Sequence, residues 1–263
     1  MRYKREIAAI VFIPLFYIIV MKSQREVFLF FTFLLTCLAL WEFYAMYNVI
    51  NAQKIIGTVG AGVLQYSFYI GSSGLAFSVI IFTLLLMLLA RLFSTSRDPS
   101  GAMNDVGPAV TGFFYIPMLL GILLLIRRAG PVWILFLAVV VWASDSAAYY
   151  VGKRVGKRKL YPAMSPKKTV EGAIGSVVGG VLSALLMKVV FVEDLGLLYA
   201  LILGAITGGV TILGDLVESM FKRDAGVKDS SHLIPGHGGV LDKIDGFLFV
   251  IPMFYLFLIT FVY

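Results

Sequence analysis

"PVWILFLAVVVWASDSAAYYVGKR", residues 131–154, decides the fold class. From Pro131 to Ser144 it carries no charge, and Asp145 then precedes the paired bases Lys153 and Arg154. A helix apolar on every side belongs in a large core or in lipid. Roughly 17–25 such residues span the hydrocarbon of a bilayer. Working outward, comparable runs fall near residues 6–21, 26–47, 54–70, 72–93, 106–126, 131–152, 170–192, 195–220 and 244–263. Composition agrees: 60% of the 263 residues are apolar, mean hydropathy is +0.93, and only 14% are charged, against about a quarter in soluble domains. The expectation is an all-α, polytopic integral membrane protein of about nine helices. The run at 54–70 is short and Gly-rich and could instead be re-entrant.

Charge placement orients the chain. With the N-terminus in the cytoplasm, the first residues and the loops around 48–54, 91–105, 153–169 and 221–243 lie inside and hold 17 of the 22 Lys and Arg, as the positive-inside rule requires. The net charge of +7 is then topology plus attraction to anionic headgroups. It does not indicate nucleic-acid binding, because no soluble domain or aromatic-basic loop is present to host it. The first apolar run is followed by "MKSQRE" rather than a small-residue cleavage site, so it reads as a helix and not a removed signal. A single cysteine, Cys37, excludes an intrachain disulfide.

Nineteen of the 37 charged residues lie in two stretches, 144–172 and 214–245. Residues 1–130 accordingly read as transmembrane scaffold, with 94–107 a polar connector, and residues 131–263 as a catalytic region of one membrane domain. In the first stretch Asp145, Tyr149 and Gly152 share a helix face. An acid at that depth normally meets a partner or a polar cavity. The stretch ends in "SPKKT", where Ser165 is expected to cap the next helix with Pro166 at its first position. Lys167, Lys168 and Thr169 would then occupy a helix N-terminus suited to phosphate.

In the second stretch Asp215, Glu218, Ser219 and Lys222 fall at i, i+3, i+4 and i+7, one polar stripe on an otherwise apolar helix. Asp242 and Asp245 follow at i and i+3, with Lys243 between them. Acids gathered in a poorly solvated place need protons, bases or a cation. Carboxylate oxygens without cysteine suit a hard cation such as Mg²⁺. Between the acid groups, His237 with Gly238 and Gly239 forms a turn whose N–H groups could meet a polyphosphate, flanked by Lys222, Arg223 and Lys228.

Ser219, Lys222, Arg223, Lys228, Asp229, Ser231, Ile234, Pro235, His237, Gly238, Gly239, Asp242 and Asp245 together resemble the signature of the phosphatidate cytidylyltransferase (CDP-diacylglycerol synthase) family. Lys243 stands where that pattern usually has Arg. The run Asp145-x-x-Ala-Tyr149, with Ser165 to Thr169 and Glu171-Gly172 after it, is also similar, so the resemblance covers roughly the C-terminal half. It implies transfer of CMP from CTP to phosphatidic acid, giving CDP-diacylglycerol and pyrophosphate at the cytoplasmic face of the inner membrane. It further implies Mg²⁺, with room for a second cation such as K⁺. On this reading Asp215 and Asp242 hold metal, with Asp245 and Glu218 beside them. Lys222, Arg223, His237 and Asp145 serve the reaction, while Lys167, Lys168, Thr169, Ser219, Lys228, Gly238, Gly239 and Lys243 bind substrates. A CTP-dependent polyprenol kinase and a cation-coupled transporter are the alternatives. The small-residue faces in "GAIGSVVGG" and "GAITGG" suit packing of their two helices on each other, with a homodimer the other use for them.

Overall fold

The computed structural model describes residues 13–94, 98–233 and 238–263. They form a bundle of helices: α1 over residues 13–21, α2 Arg25–Met46, α3 Asn51–Ile70, α4 Ser73–Leu92, α5 Ala102–Phe113, α6 Leu119–Ala129, α7 Pro131–Val155, α8 Val170–Phe191, α9 Leu197–Asp224 and α10 Leu241–Phe257. Among the described residues, seven helical stretches are long and apolar enough to cross a bilayer. This is an all-α, multi-pass membrane protein. The segment expected at 54–70 is a helix of 20 residues, α3, but it is not among those seven. Its glycines and the buried Gln53 and Gln65 dilute its hydropathy and turn it toward protein rather than lipid. The expected first segment starts outside the described residues.

Two local readings are corrected. The polar connector expected over 94–107 is helical from Pro99: a 3₁₀ turn, Pro99–Gly101, runs into α5, and the whole stretch Pro99–Ala129 is one 31-residue span. The Asp98 side chain accepts from Ser100 N at 2.8 Å and starts this turn. The buried Arg91 pairs with Asp105 at 2.7 Å, so polar residues that read as loop are satisfied inside the protein. Between α5 and α6 the helix widens into a π turn, Phe114–Met118, holding Pro117, which has no N–H to continue the regular ladder.

The second correction concerns Ser165. It does not cap α8, and Pro166, Lys167 and Lys168 are not on its first turn. Ser165–Thr169 is a strand, β2, antiparallel to β1, Lys159–Tyr161. A residue before proline is pushed toward extended backbone, and the hairpin uses that extension. Thr169 is the cap, its Oγ1 accepting from Gly172 N at 3.1 Å. Glu171 accepts from Lys157 N at 2.9 Å and Arg158 N at 3.2 Å, locking the strand pair to the helix start.

Small residues set the spacing of the last four helices. Ser176 Oγ donates to Gly208 O at 2.8 Å across the α8–α9 seam, and a Cβ on Gly204 would lie 2.6 Å from Gly180 O. The two helices do pack on each other through the stripes expected to do so. On the other side of α9, a Cβ on Gly214 would lie 2.6 Å from Asp245 O, and one on Gly246 would lie 2.8 Å from Thr211 Cγ2. Backbones in such contact gain dispersion attraction where lipid supplies no hydrophobic drive.

Candidate active site

The end of α7, the start of α8, the end of α9 and the start of α10 converge at one end of the bundle. Gly214 and Gly246 adjoin Asp215 and Asp245 in sequence, so the contact that joins α9 to α10 also brings these two carboxylates together. Ligand oxygens of Asp215, Glu218 and Asp245 all lie within 4.8 Å of one another. Glu218 is fully buried and Asp215 and Asp245 are half-buried.

Two lysines face this triad. Lys168, delivered by β2, reaches Asp215 Oδ2 at 2.6 Å. Lys222, one turn along from Glu218, forms an ion pair with it and donates to Asp242 Oδ1 at 2.6 Å. Ser219 Oγ donates to Asp215 Oδ1 at 3.3 Å. Asp145 is solvent-exposed but within electrostatic range of Asp215, Lys168 and the exposed Lys243. The site residues read from α7, α8, α9 and α10 are thus neighbours, except that Thr169 acts as a helix cap, Lys167, Arg223 and Lys228 are exposed, and Arg223 donates to Val227 O at 2.9 Å. His237 lies outside the described residues.

Asp242 stands apart from the triad. Besides Lys222 it accepts at Oδ2 from Ser230 N at 3.1 Å, Ser230 Oγ at 2.9 Å and Gly239 N at 2.7 Å. These donors make the Asp242 carboxylate an anchor for the chain around it, and the Gly239 N–H is directed at it. Gly238 has φ +85°, a conformation suited to glycine, and a Cβ there would lie 2.6 Å from Asp242 Oδ2. The glycines of this turn therefore serve the approach of Asp242.

The donor set fits a divalent cation. Four carboxylates, Asp215, Glu218, Asp242 and Asp245, gather about two ammonium groups, Lys168 and Lys222, so that acids outnumber the bases in contact with them. An excess of that kind inside a poorly solvated end of a bundle is unfavourable without a counter-charge. All three triad ligands are oxygens, the hard donors Mg²⁺ takes. The buried Tyr115 hydroxyl, from the π turn, has no hydrogen-bond partner among the described residues and is within electrostatic range of Asp245, Glu218 and Asp215.

Three contributors from the N-terminal half were missed in the sequence: Glu42, Tyr47 and Tyr115. Tyr47 Oη donates to Asp224 Oδ2 at 2.9 Å and contacts Phe221 O at 3.1 Å, tying α2 to the end of α9; burial pushes this phenol well above its ordinary pKa. Glu42 was visible as the one acid in the apolar run "CLALWEFYAM", an expensive residue that needs a reason. Tyr115 carried a weaker signal: Pro117 marks a break in the helix but does not tell which side chain the break turns inward.

Known proteins bear on the whole chain. A phosphatidate cytidylyltransferase of Bacillus subtilis (strain 168) is 35% identical over 265 residues, 97% of this chain and 95% of that protein. One from Staphylococcus saprophyticus is 34% identical over 261 residues, 96% of each chain, and one from Haemophilus influenzae is 46% identical over 133 residues, 48% of this chain and 45% of that protein. The similarity therefore extends past the C-terminal half in which the signature lies. The model of the cytidylyltransferase family matches residues 3–261, and the chain belongs to that family.

Proposed function

We propose that this protein is a phosphatidate cytidylyltransferase, moving CMP from CTP to phosphatidic acid and releasing pyrophosphate. The observation that carries the reading is the gathering of Asp215, Glu218 and Asp245 beside Lys168 and Lys222 at one end of a membrane bundle. Near-full-length relatives named for this activity support it. In the reaction a phosphate oxygen of phosphatidate bonds to the α-phosphorus of CTP while the bond from that phosphorus to the β-phosphate oxygen breaks. A phosphomonoester is largely dianionic near neutral pH, so no general base is required. What the protein must supply is in-line alignment and charge neutralisation.

Mg²⁺ held by Asp215, Glu218 and Asp245 would polarise phosphoryl oxygens and offset charge on the leaving pyrophosphate, and a second cation such as K⁺ would add to that neutralisation. Lys168 and Lys222 change partners from carboxylate to phosphate when substrate arrives. Lys167, Arg223, Lys228 and Lys243 form the exposed basic rim that draws in both anions, with Ser219, Gly238 and His237 lining it. Asp242 holds Lys222 and the 228–241 connection in place. The acyl chains stay in lipid.

The site faces the cytoplasm of the inner membrane in this reading, with nine spans and the N-terminus inside. The N-terminal 130 residues frame a catalytic region formed by the rest. A cation-coupled transporter would place its polar groups near the midplane, and a lipid kinase would release CDP. Purified protein given labelled CTP, phosphatidic acid and Mg²⁺ should yield a CDP-lipid and pyrophosphate, and chelation should stop it. Formation of CDP with a phosphorylated lipid, or no product across lipids and cations, would overturn the assignment.

A further inference from the structure

Glu42 sits in α2, far in sequence from the signature, and is 7% exposed. Four donors of the connection between α9 and α10 lie within hydrogen-bond distance of its carboxylate: Ser231 Oγ at 2.7 Å and Val240 N at 2.9 Å on Oε1, Ser230 Oγ at 3.0 Å and Leu241 N at 2.8 Å on Oε2, with the one Ser230 hydroxyl proton shared between Glu42 and Asp242 Oδ2, 2.9 Å away. Each oxygen thus ties the strand of chain leaving α9 to the strand entering α10. Gly239 is required here, because a Cβ on it would overlap Ser230 Oγ and Glu42 Oε2. No ion pair to Glu42 is found among the described residues, and the donors on its carboxylate there belong to this connection. Donors aimed at an ionised group are strong and shorten the bond. From Ser230 the network continues to Asp242, and from Asp242 to Lys222 and Glu218.

We propose that Glu42 is a positioning residue for the site, a clamp from the N-terminal half that holds both ends of the 230–241 connection and, through Ser230 and Asp242, the Lys222 ammonium. The proposal rests on the cytidylyltransferase reading above and deepens it. Glu42 touches no substrate; it acts through the groups it holds. Two features make its charge and shape both necessary. Four donors converge on two oxygens, and a glutamine would keep one oxygen but oppose a backbone N–H with its own NH₂. The two backbone donors, Val240 and Leu241, cannot rotate away as the serine hydroxyls can.

The test compares wild type with Glu42→Gln and Ser231→Ala in detergent, following CDP-lipid formation, thermal unfolding, and tryptic cleavage after Lys228. Loss of charge-assisted hydrogen bonds sets the expected size: Glu42→Gln should raise the KM for at least one of the two phosphate substrates about 10-fold or more and speed cleavage by a similar factor. Ser231→Ala, which removes the bond to Glu42 and the one from Leu233 N, should raise the same KM about threefold. A merely structural Glu42 would lower the unfolding temperature and leave both KM values and the cleavage rate at wild-type values, and that result overturns the proposal. If Glu42→Gln does not fold, Ser231→Ala decides, with wild-type KM values and cleavage counting against the clamp. Should wild type make no CDP-lipid, the functional reading falls, and the cleavage comparison still decides the clamp.

Discussion

Residue by residue, the site depends on what engages each carboxylate. Asp215 holds Ser219 on Oδ1 and Lys168 on Oδ2 and turns oxygen to a cation when Lys168 moves to phosphate, so Asp215→Asn should lower turnover about 100-fold or more with the fold intact, checked by initial rates of CDP-lipid formation beside thermal unfolding. Lys222 has a different task, because it bridges the fully buried Glu218 and Asp242. Removing one partner of a buried pair leaves an uncompensated charge, a loss of about 3–5 kcal/mol. Lys222→Met should therefore destabilise by that order in a denaturing-detergent titration. Adding Glu218→Gln should restore a measurable part of the loss, since the orphaned charge is then gone. Equal stability of the single and double variants would mean that the pair is already solvated.

Helices α8, α9 and α10 are positioned by backbone contact, and adjacent glycines on α9 distinguish contact from composition. A Cβ on Gly208 would lie 2.5 Å from Ser176 O and 2.7 Å from Val177 Cα, while one on Gly209 would meet nothing within 4 Å. Gly208→Ala must separate α8 from α9, costing about 1–3 kcal/mol as overpacking does. It should also weaken activity by drawing Lys168 away from Asp215. Gly209→Ala should be neutral or stabilising by up to about 1 kcal/mol through helix propensity. Unfolding in denaturing detergent and CDP-lipid rates of the two variants check both signs. The same contact explains why the lysines of "SPKKT" serve the site from a strand: the hairpin projects Lys168 beyond the helix end, toward Asp215, where a first-turn lysine would be bound to the helix axis.

Taken whole, the molecule is a bundle with apolar sides and the acids and bases of the site gathered at one end. In a Cys37→Ala background, an impermeant maleimide applied to intact cells should label Glu193→Cys, on the exposed α8–α9 turn, and spare Lys157→Cys beside the hairpin; the reverse pattern would invert the orientation. Much of this was legible in the sequence. Long apolar runs with charges at their ends dictate membrane helices whatever their neighbours, because a backbone in hydrocarbon must satisfy its hydrogen bonds within the segment. The signature placed the acids and bases of α9 and α10 for the same reason, since i, i+3, i+4 spacing is a property of one helix. What the sequence could not decide was partnership between segments. Asp242 and Asp245 look alike at i and i+3, yet one is surrounded by Ser230, Gly239 and Lys222 and the other joins Asp215 and Glu218. Glu42 looked like part of a scaffold until Ser230, Ser231, Val240 and Leu241 were found on its carboxylate. Chemistry along one helix is written in its own residues, but which oxygen stays free is settled only when the bundle closes and every donor has chosen its acceptor.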